Sequence, residues 1–172
     1  GLYLQGVNHD NRFNVTIDEI DVSPVQIQGP KAHALMTDLV GDQVDINNMP
    51  FYGLAAVKVG GRDCIISQSG FSGEAGFEIY LYDSTKYADD MWNAVLDAGK
   101  KHNLMVIAPA HHRRIQAGIL SWGQDMDNQH NPFQCNLGYQ VSLSGKGEWN
   151  KTNDYVGKAV LEKMRDDLRA GQ

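Results

Sequence analysis

Alternation of apolar and polar residues is the clearest pattern in the first half of the chain. It predicts strand structure over residues 13–28, with apolar positions at Phe13, Val15, Ile17, Val22, Val25 and Ile27. A Gly-Gly pair at 60–61 between two such runs predicts a hairpin of strands 54–59 and 62–68. Shorter apolar runs predict further strands over residues 77–81, 104–107 and 138–143.

Apolar residues at helical spacing predict the remaining elements. One helix is expected over residues 30–40, after the turn at Pro30, and a second over 84–98. Asp83 or Ser84 would cap the second helix and Gly99 would follow its end. Residues 109–120 should be a loop entering a helix, and a charged helix is expected over 157–170. This order indicates an α+β domain with a mainly antiparallel sheet and packed helices.

Composition narrows the class of protein. A chain of 172 residues is long enough to bury a core of its own. The net charge of −6 disfavours a nucleic-acid partner or an anionic membrane surface, both of which attract basic proteins. No run reaches the 18 apolar residues of a membrane span. Two cysteines, Cys64 and Cys135, are too few for a disulfide framework, so we expect a reducing, cytoplasmic compartment.

A glycine-rich turn, residues 69–76, is the first candidate site. Its three glycines let the backbone approach a ligand closely, and Gln68 and Phe71 belong to the same run. Ionised Glu74 can only accept hydrogen bonds, and it could accept two from a planar donor pair. A guanidinium or the amino-pyrimidinone edge of a pterin offers such a pair. The alternative is a glycine-rich hairpin with a solvated glutamate.

A second candidate is the helix start at His111, His112 and Arg113. Adjacent histidines point about 100° apart on a helix, so they do not form a metal-binding pair, and we expect no metal. The arginine and the helix start could attract an anion. The alternative is an exposed helix end with two solvated arginines, Arg113 and Arg114.

Other segments allow two interpretations each. The aromatic run that includes Tyr52 could stack on a flat ligand or simply close a loop. The polar loop 121–127, with Trp122, could line a cleft or cover the edge of the core. Residues 144–147 lack the spacing of a phosphate loop.

Five segments taken in order resemble one family, the folate-binding domain of the glycine-cleavage T-protein (aminomethyltransferase) family. They are residues 25–32, 69–79, 114–118, 123–127 and 131–139. Segments 107–114 and 119–123 are closer in character to tetrahydrofolate-dependent demethylases than to the glycine-system enzyme.

The resemblance implies a cofactor, a reaction and a set of site residues. The cofactor is tetrahydrofolate, and the reaction is transfer of a methyl or aminomethyl group to its N5 from a small-molecule donor. The turn Ser72-Gly73-Glu74 would present its glutamate to the pterin ring, and His111 or His112 would take a role that an arginine has in the family. The expected cofactor-binding residues are Glu74, Phe71, Gln68, Tyr52, His111, His112 and Arg113.

The resemblance also implies that the chain is an interior segment of a longer protein. Residues 1–143 would form a partial folate-binding domain, and 144–172 a connecting loop and helix toward a C-terminal barrel. The family's catalytic aspartate would lie upstream, so the catalytic residues are unknown, and the isolated chain should bind folate weakly and turn nothing over. A glycine-cleavage enzyme would also have a carrier-protein partner. The alternatives are a non-catalytic folate-binding regulatory module, or the folate domain of a larger flavin-dependent amine dehydrogenase.

Overall fold

The computed structural model describes residues 1–143 and 150–171. The chain folds as two compact units, Gly1–Ile119 and Leu120–Gln172. The expected boundary between a folate-binding domain and a connecting segment, at residue 143, stays a prediction. The segment 144–147, whose spacing differs from that of a phosphate loop, lies outside the described residues.

The first unit is built on a four-stranded antiparallel sheet. Its strands are β1 (Val22–Gln28), β2 (Leu54–Val59), β3 (Arg62–Ser67) and β4 (Gly76–Tyr82). They lie in the order β1-β4-β3-β2, so β1 and β2 are the edge strands. The hairpin at Gly60-Gly61 is confirmed, with Val59 opposite Arg62. The α+β class with an antiparallel sheet is therefore confirmed as well.

Five α-helices lie in the described part of the chain, beside four short 3-10 turns. They are α1 (Leu2–Val7), α2 (Ala32–Val40), α3 (Ser84–Gly99), α4 (His111–Gln116) and α5 (Lys158–Arg169). The helices predicted over 30–40, 84–98 and 157–170 are thus confirmed, and so is the loop entering a helix over 109–120. The helix α3 extends one residue beyond its prediction, and α2 and α5 are shorter than predicted. No pattern predicted α1, which buries none of its residues and so lacks an apolar face that periodicity could detect.

One face of the sheet forms the core with α2 and α3. Phe77, Ile79 and Leu81 of β4 are fully buried there, together with Cys64 and Ile66 of β3. Each fully buried side chain of this size stabilises the fold by about 1.5–3 kcal/mol relative to exposure. Cys64 packs as a small hydrophobe, and burial raises the pKa of its thiol.

Three predicted strands differ in the structure. The strand predicted over 13–28 begins only at Val22, because its partner β4 ends at Tyr82, opposite Val22. Residues 104–107 pair with no strand of the described chain, because they and the edge strand β1 line a cleft instead of forming a ladder. The strand predicted over 138–143 is instead the short 3-10 turn Gly138–Gln140, since the Val141 N–H bonds back to Gly138.

The cap of α3 also differs from the prediction. Asp83 occupies the N-cap position with a φ of 50°, and its side chain makes no capping bond. Asp21 caps the helix instead, accepting hydrogen bonds from the Ser84 hydroxyl at 2.6 Å and the Thr85 N–H at 3.1 Å. Gly99 is the last residue of the helix and does not follow it.

The second unit contains mostly loops and α5. The Lys158 side chain is buried at the start of α5, and its ammonium donates to the carbonyls of Thr152 at 3.0 Å and Asn153 at 3.1 Å. The Tyr155 hydroxyl donates to the Ser142 carbonyl at 2.7 Å. Trp122, in the same unit, is 64% exposed, and both interpretations of the loop 121–127 stay predictions.

Candidate functional site

A cleft of about 550 Å³ lies along the edge strand β1 of the first unit. Its volume falls in the range of about 300–1,000 Å³ that is usual for small-molecule sites. Five parts of the fold line it: β1, the glycine-rich turn, α3, segment 104–110 and, through Arg113, the helix α4. The cleft therefore lies where the sheet leaves an edge strand uncovered.

Two charged side chains meet in the lining of this cleft. Glu74 comes from the glycine-rich turn and Arg113 from α4. Arg113 Nη1 lies 3.7 Å from Glu74 Oε1, and the two side chains are 54% and 43% exposed. Such an exposed pair contributes only about 0–1 kcal/mol. A ligand can therefore separate the two groups at little cost.

Apolar side chains make up much of the remaining wall. Phe71 belongs to the glycine-rich turn and lines the cleft. Trp92 of α3, which is 37% exposed, lines it together with Val95 and Leu96. The segment 104–110 adds Met105, Val106 and Ile107, which are each more than 60% exposed. Such a wall suits a flat aromatic ligand that carries its polar groups at one edge.

Gln28, at the end of β1, anchors the glycine-rich turn. Its Nε2 donates to the Ser69 carbonyl at 3.2 Å, and its Oε1 accepts from the Ser72 hydroxyl at 2.6 Å. A Cβ added to Gly70 or to Gly76 would lie 2.2 Å from the Gln28 amide. Glycine is therefore required at both positions so that this amide can enter the turn.

A second set of hydrogen bonds holds the start of the turn. The buried Ser69 hydroxyl donates to Glu78 Oε2, which also accepts from the Tyr80 hydroxyl at 3.0 Å. Gln26 Nε2 donates to the other Glu78 oxygen at 2.9 Å. Burial, and then the bond to Glu78, raise the pKa of Tyr80.

The short helix α4 packs directly on the turn. Gly73 has a φ of +75°, and a Cβ added there would lie 2.3 Å from the Ala117 Cβ. Arg114 is only 2% exposed, and its guanidinium carbon lies 5.8 Å from the centroid of the Phe71 ring. Arg114 Nη1 also donates to the Ile119 carbonyl at 3.0 Å. These contacts bring Arg113 beside Glu74.

The structure brings together three of the seven predicted cofactor-binding residues. Glu74, Phe71 and Arg113 all line the cleft, whereas His111 and His112 are exposed beside it. His111 Nδ1 accepts a hydrogen bond from Arg114 Nε at 3.2 Å, so it contacts the site through that arginine.

Gln68 and Tyr52 lie together but outside the cleft lining. The Tyr52 N–H donates to the Gln68 carbonyl at 2.9 Å, and the Tyr52 ring, 70% exposed, packs against Phe51 with the centroids 4.2 Å apart. The buried Gln68 Oε1 has no hydrogen-bond partner among the described residues. The cofactor roles of these two residues stay predictions.

Sequence reasoning missed Gln28, Trp92 and Arg114. Gln28 stands in a segment that carried the family resemblance, but a glutamine at a strand end gives no sign of what it bonds. Helical spacing over 84–98 places Trp92 beside the apolar face of that helix, which gives no sign that it lines the cleft. The alternative of two solvated arginines is wrong for Arg114, which is buried.

Two general features concern the part of the chain that the structure describes. There, no group of three His, Cys, Asp or Glu side chains is placed to hold a metal ion. In the same residues, no helix has the length and apolar character needed to cross a membrane.

Known proteins resemble this chain over most of its length. The family model described as GCVT N-terminal domain matches residues 3–145. The dimethylsulfoniopropionate demethylase DmdA of Ruegeria pomeroyi is 34% identical over 160 residues, which are 93% of this chain and 41% of that protein. An aminomethyltransferase of Clostridium botulinum is 31% identical over 164 residues, covering 92% of this chain and 42% of that protein. An aminomethyltransferase of Alkaliphilus oremlandii is 32% identical over 149 residues, which are 85% of this chain and 38% of that protein.

The chain thus spans about two fifths of the length of these relatives. The match to the family model extends over most of the chain and includes both the glycine-rich turn and α4. The relatives are named as transferases of an aminomethyl group or as a demethylase. The chain belongs to the glycine-cleavage T-protein family and carries the family's N-terminal domain.

Proposed function

We propose that this chain is the folate-binding part of an enzyme that transfers a methyl or aminomethyl group to tetrahydrofolate. Residues 1–143 form the folate-binding domain in this proposal, and 144–172 connect it to a C-terminal barrel. The protein works in the cytoplasm, in keeping with its two free cysteines, Cys64 and Cys135. Its donor is a small molecule, and a carrier protein is a partner only if the donor is that of glycine cleavage.

The observation that carries the proposal is the position of Glu74 in an otherwise largely apolar cleft. An ionised carboxylate accepts two parallel hydrogen bonds from a planar pair of donors. The 2-amino group and N3–H of a pterin form such a pair on a flat ring. The residues present therefore fit the polar edge of tetrahydrofolate.

The remainder of the cleft fits the remainder of the cofactor. Phe71 and Trp92 offer aromatic surfaces for a flat ring, and the cleft volume of about 550 Å³ is sufficient for a ligand of this class. When bound, tetrahydrofolate supplies the nitrogen that accepts the one-carbon group. The chain's own residues bind and orient the ring and exclude water along the apolar wall.

The identity of the donor depends on residues outside this cleft. The relatives include a demethylase and aminomethyltransferases, so both methyl and aminomethyl donors are in keeping with the family. His111, which contacts Arg114, stands near the position where an arginine is expected by resemblance. We favour a methyl donor, because the segments 107–114 and 119–123 resemble the demethylases more closely.

Binding of tetrahydrofolate tests the proposal directly. Isothermal titration calorimetry would compare the chain with Glu74→Gln, which keeps the size of the side chain and removes its charge. Loss of charge-assisted hydrogen bonds of about 1.5–3 kcal/mol predicts at least a tenfold weaker affinity. Asp63→Asn is the matched control, because Asp63 is an exposed carboxylate on β3 that pairs with Lys58, away from the cleft. Equal affinity of wild type and Glu74→Gln would contradict the proposal.

Transfer activity separates an enzyme from a folate-binding regulatory module. We expect the protein from the full reading frame to methylate tetrahydrofolate when methoxy-aromatic, sulfonium and amine donors are screened. The 172-residue chain alone should bind the cofactor weakly and transfer nothing. Binding without transfer from any donor by the full protein would favour the regulatory module. A dinucleotide-binding sequence upstream would instead favour the flavin-dependent alternative.

A further inference from the structure

We propose that Arg113 recognises the C4 carbonyl of the pterin while Glu74 binds the two neighbouring donors. The pair would then distinguish a 4-oxo pterin from its 4-amino analogue. This inference rests on the proposed function, because it assigns the edge of the ring that the cleft binds.

The chemistry of the ring edge sets what the protein must offer. Along one edge, the amino-pyrimidinone ring presents the 2-amino N–H, the N3–H and the C4 oxygen: donor, donor and acceptor. The complementary surface is acceptor, acceptor and donor. Two carboxylate oxygens beside a guanidinium N–H provide that order.

The cleft contains this combination. Glu74 and Arg113 both line it, and Arg113 Nη1 lies 3.7 Å from Glu74 Oε1. At that distance the two groups are neighbours, but the pair is too long for a good hydrogen bond. Each group is about half exposed, so a ring edge can approach both.

Arg113 differs in this respect from the arginine next to it. Arg114 is buried and donates to the Ile119 carbonyl and to His111. The charged neighbour of Arg113 in the described part of the chain is Glu74 itself. The Arg113 guanidinium can therefore turn toward a ligand without disturbing the packing of α4.

Replacing the C4 oxygen by an amino group places donors opposite donors. The guanidinium has no acceptor to offer, so one N–H group on each side would be left without a partner in the bound state. The uncharged 4-amino ring also has no hydrogen on N3, so one Glu74 oxygen would lose its donor, and that part of the preference would remain when Arg113 is replaced. An unpaired polar group at a binding interface weakens binding strongly. Arg113 would thus select against the 4-amino ring.

The test measures affinity for two ligands that differ at C4. Titration calorimetry would use a pteroylglutamate with the 4-oxo ring and its 4-amino counterpart, at a pH where both rings are uncharged. We expect the ratio of the two affinities to fall about tenfold or more in Arg113→Met. Arg113→Lys, which keeps one charged donor, should retain part of the preference.

Lys58→Met is the matched control for the loss of one positive charge. Lys58 lies on β2, at the edge of the sheet opposite β1, in an exposed pair with Asp63. The control should leave the ratio unchanged. Because the readout is a ratio of two ligands on one protein, a general loss of stability in Arg113→Met would not alter it.

Two results would overturn the inference in distinguishable ways. If Arg113→Met weakened both ligands equally, or neither, while Glu74→Gln still weakened the 4-oxo ligand, the role of Arg113 would be wrong and the proposed function would stand. If the wild-type protein from the full reading frame bound neither ligand, the proposed function would be wrong, and this inference with it.

Discussion

The Ser72 hydroxyl donates a 2.6 Å hydrogen bond to Gln28 Oε1, which ties the glycine-rich turn to the end of β1. The same hydroxyl accepts a hydrogen bond from the Glu74 N–H at 3.2 Å. One serine therefore joins the backbone of the candidate pterin-binding residue to the sheet. The position of Glu74 should depend on Gln28.

We predict that Gln28→Met destabilises the protein and weakens cofactor binding. The near-isosteric methionine cannot make the bonds to Ser69 and Ser72, and two such bonds are together worth about 1–3 kcal/mol. Urea unfolding and titration with tetrahydrofolate would measure the two effects. Gln5→Met is the control, because Gln5 is an exposed glutamine of α1, and it should change neither value. Unchanged stability of Gln28→Met would contradict the anchoring role.

The Gln28 amide occupies the space that a side chain at Gly70 or Gly76 would need. This close approach gives a second prediction, which a double-mutant cycle would test. Gly70→Ala should cost about 1–3 kcal/mol in the wild type, because its Cβ would displace the Gln28 amide and both of its hydrogen bonds. In the Gln28→Ala background the amide is absent and leaves room for the new Cβ, so the same substitution should reduce the free energy of unfolding by less than about 0.5 kcal/mol. Additive costs in urea unfolding would show that Gly70 is required for some other reason. Gly76→Ala should repeat the pattern, since its Cβ would meet the same amide.

The sequence predicted those elements that depend on residues close together in the chain, such as a turn between adjacent strands or the apolar stripe of a helix. The hairpin at Gly60-Gly61 joins adjacent strands, and α3 carries a regular apolar stripe. The strand predicted over 104–107 has the right residues, but strand structure needs a partner, and pairing is decided by the tertiary fold. The cap of α3 likewise comes from Asp21, 63 residues before Ser84.

The same distinction explains which site residues were found. Glu74 stands in a turn whose glycines are visible in the sequence, so its exposure to a ligand could be inferred. Gln28 is 41 residues from Ser69, and only the pairing of β1 with β4 brings the two together. Arg114 looks like its neighbour Arg113 in the sequence, and only packing against Phe71 distinguishes them.

A third prediction concerns the dependence of stability on pH. Hydrogen bonds, first from the Ser84 hydroxyl and then from Thr85, hold the pKa of Asp21 below its ordinary value. A carboxyl whose pKa is lower in the folded state stabilises the fold above its ordinary pKa. That contribution is lost as the pH falls through the folded-state pKa.

Asp21→Asn should therefore be less stable than the wild type at neutral pH. The difference between the two proteins should shrink as the pH falls below the ordinary range of an aspartate. Urea unfolding across that range would measure it, with Asp18→Asn, an exposed aspartate, as the control. A difference that stayed constant down to strongly acidic pH would show that the charge of Asp21 contributes nothing to the cap.

The contact between the turn and α4 gives the last prediction. Gly73 has a φ of +75° and Gly118 a φ of +73°, but only at Gly73 would a Cβ meet another residue, Ala117, at 2.3 Å. Alanine at either position carries the cost of a left-handed backbone, about 1–2 kcal/mol. We expect Gly73→Ala to lose more stability than Gly118→Ala and, in addition, to bind tetrahydrofolate at least about tenfold more weakly, because the turn is pushed away from Arg113. Adding Ala117→Gly to Gly73→Ala removes the collision but keeps the strained backbone, so it should restore binding more than stability. If Ala117→Gly restored neither, the positive φ of Gly73, and not its contact with α4, would account for the requirement for glycine.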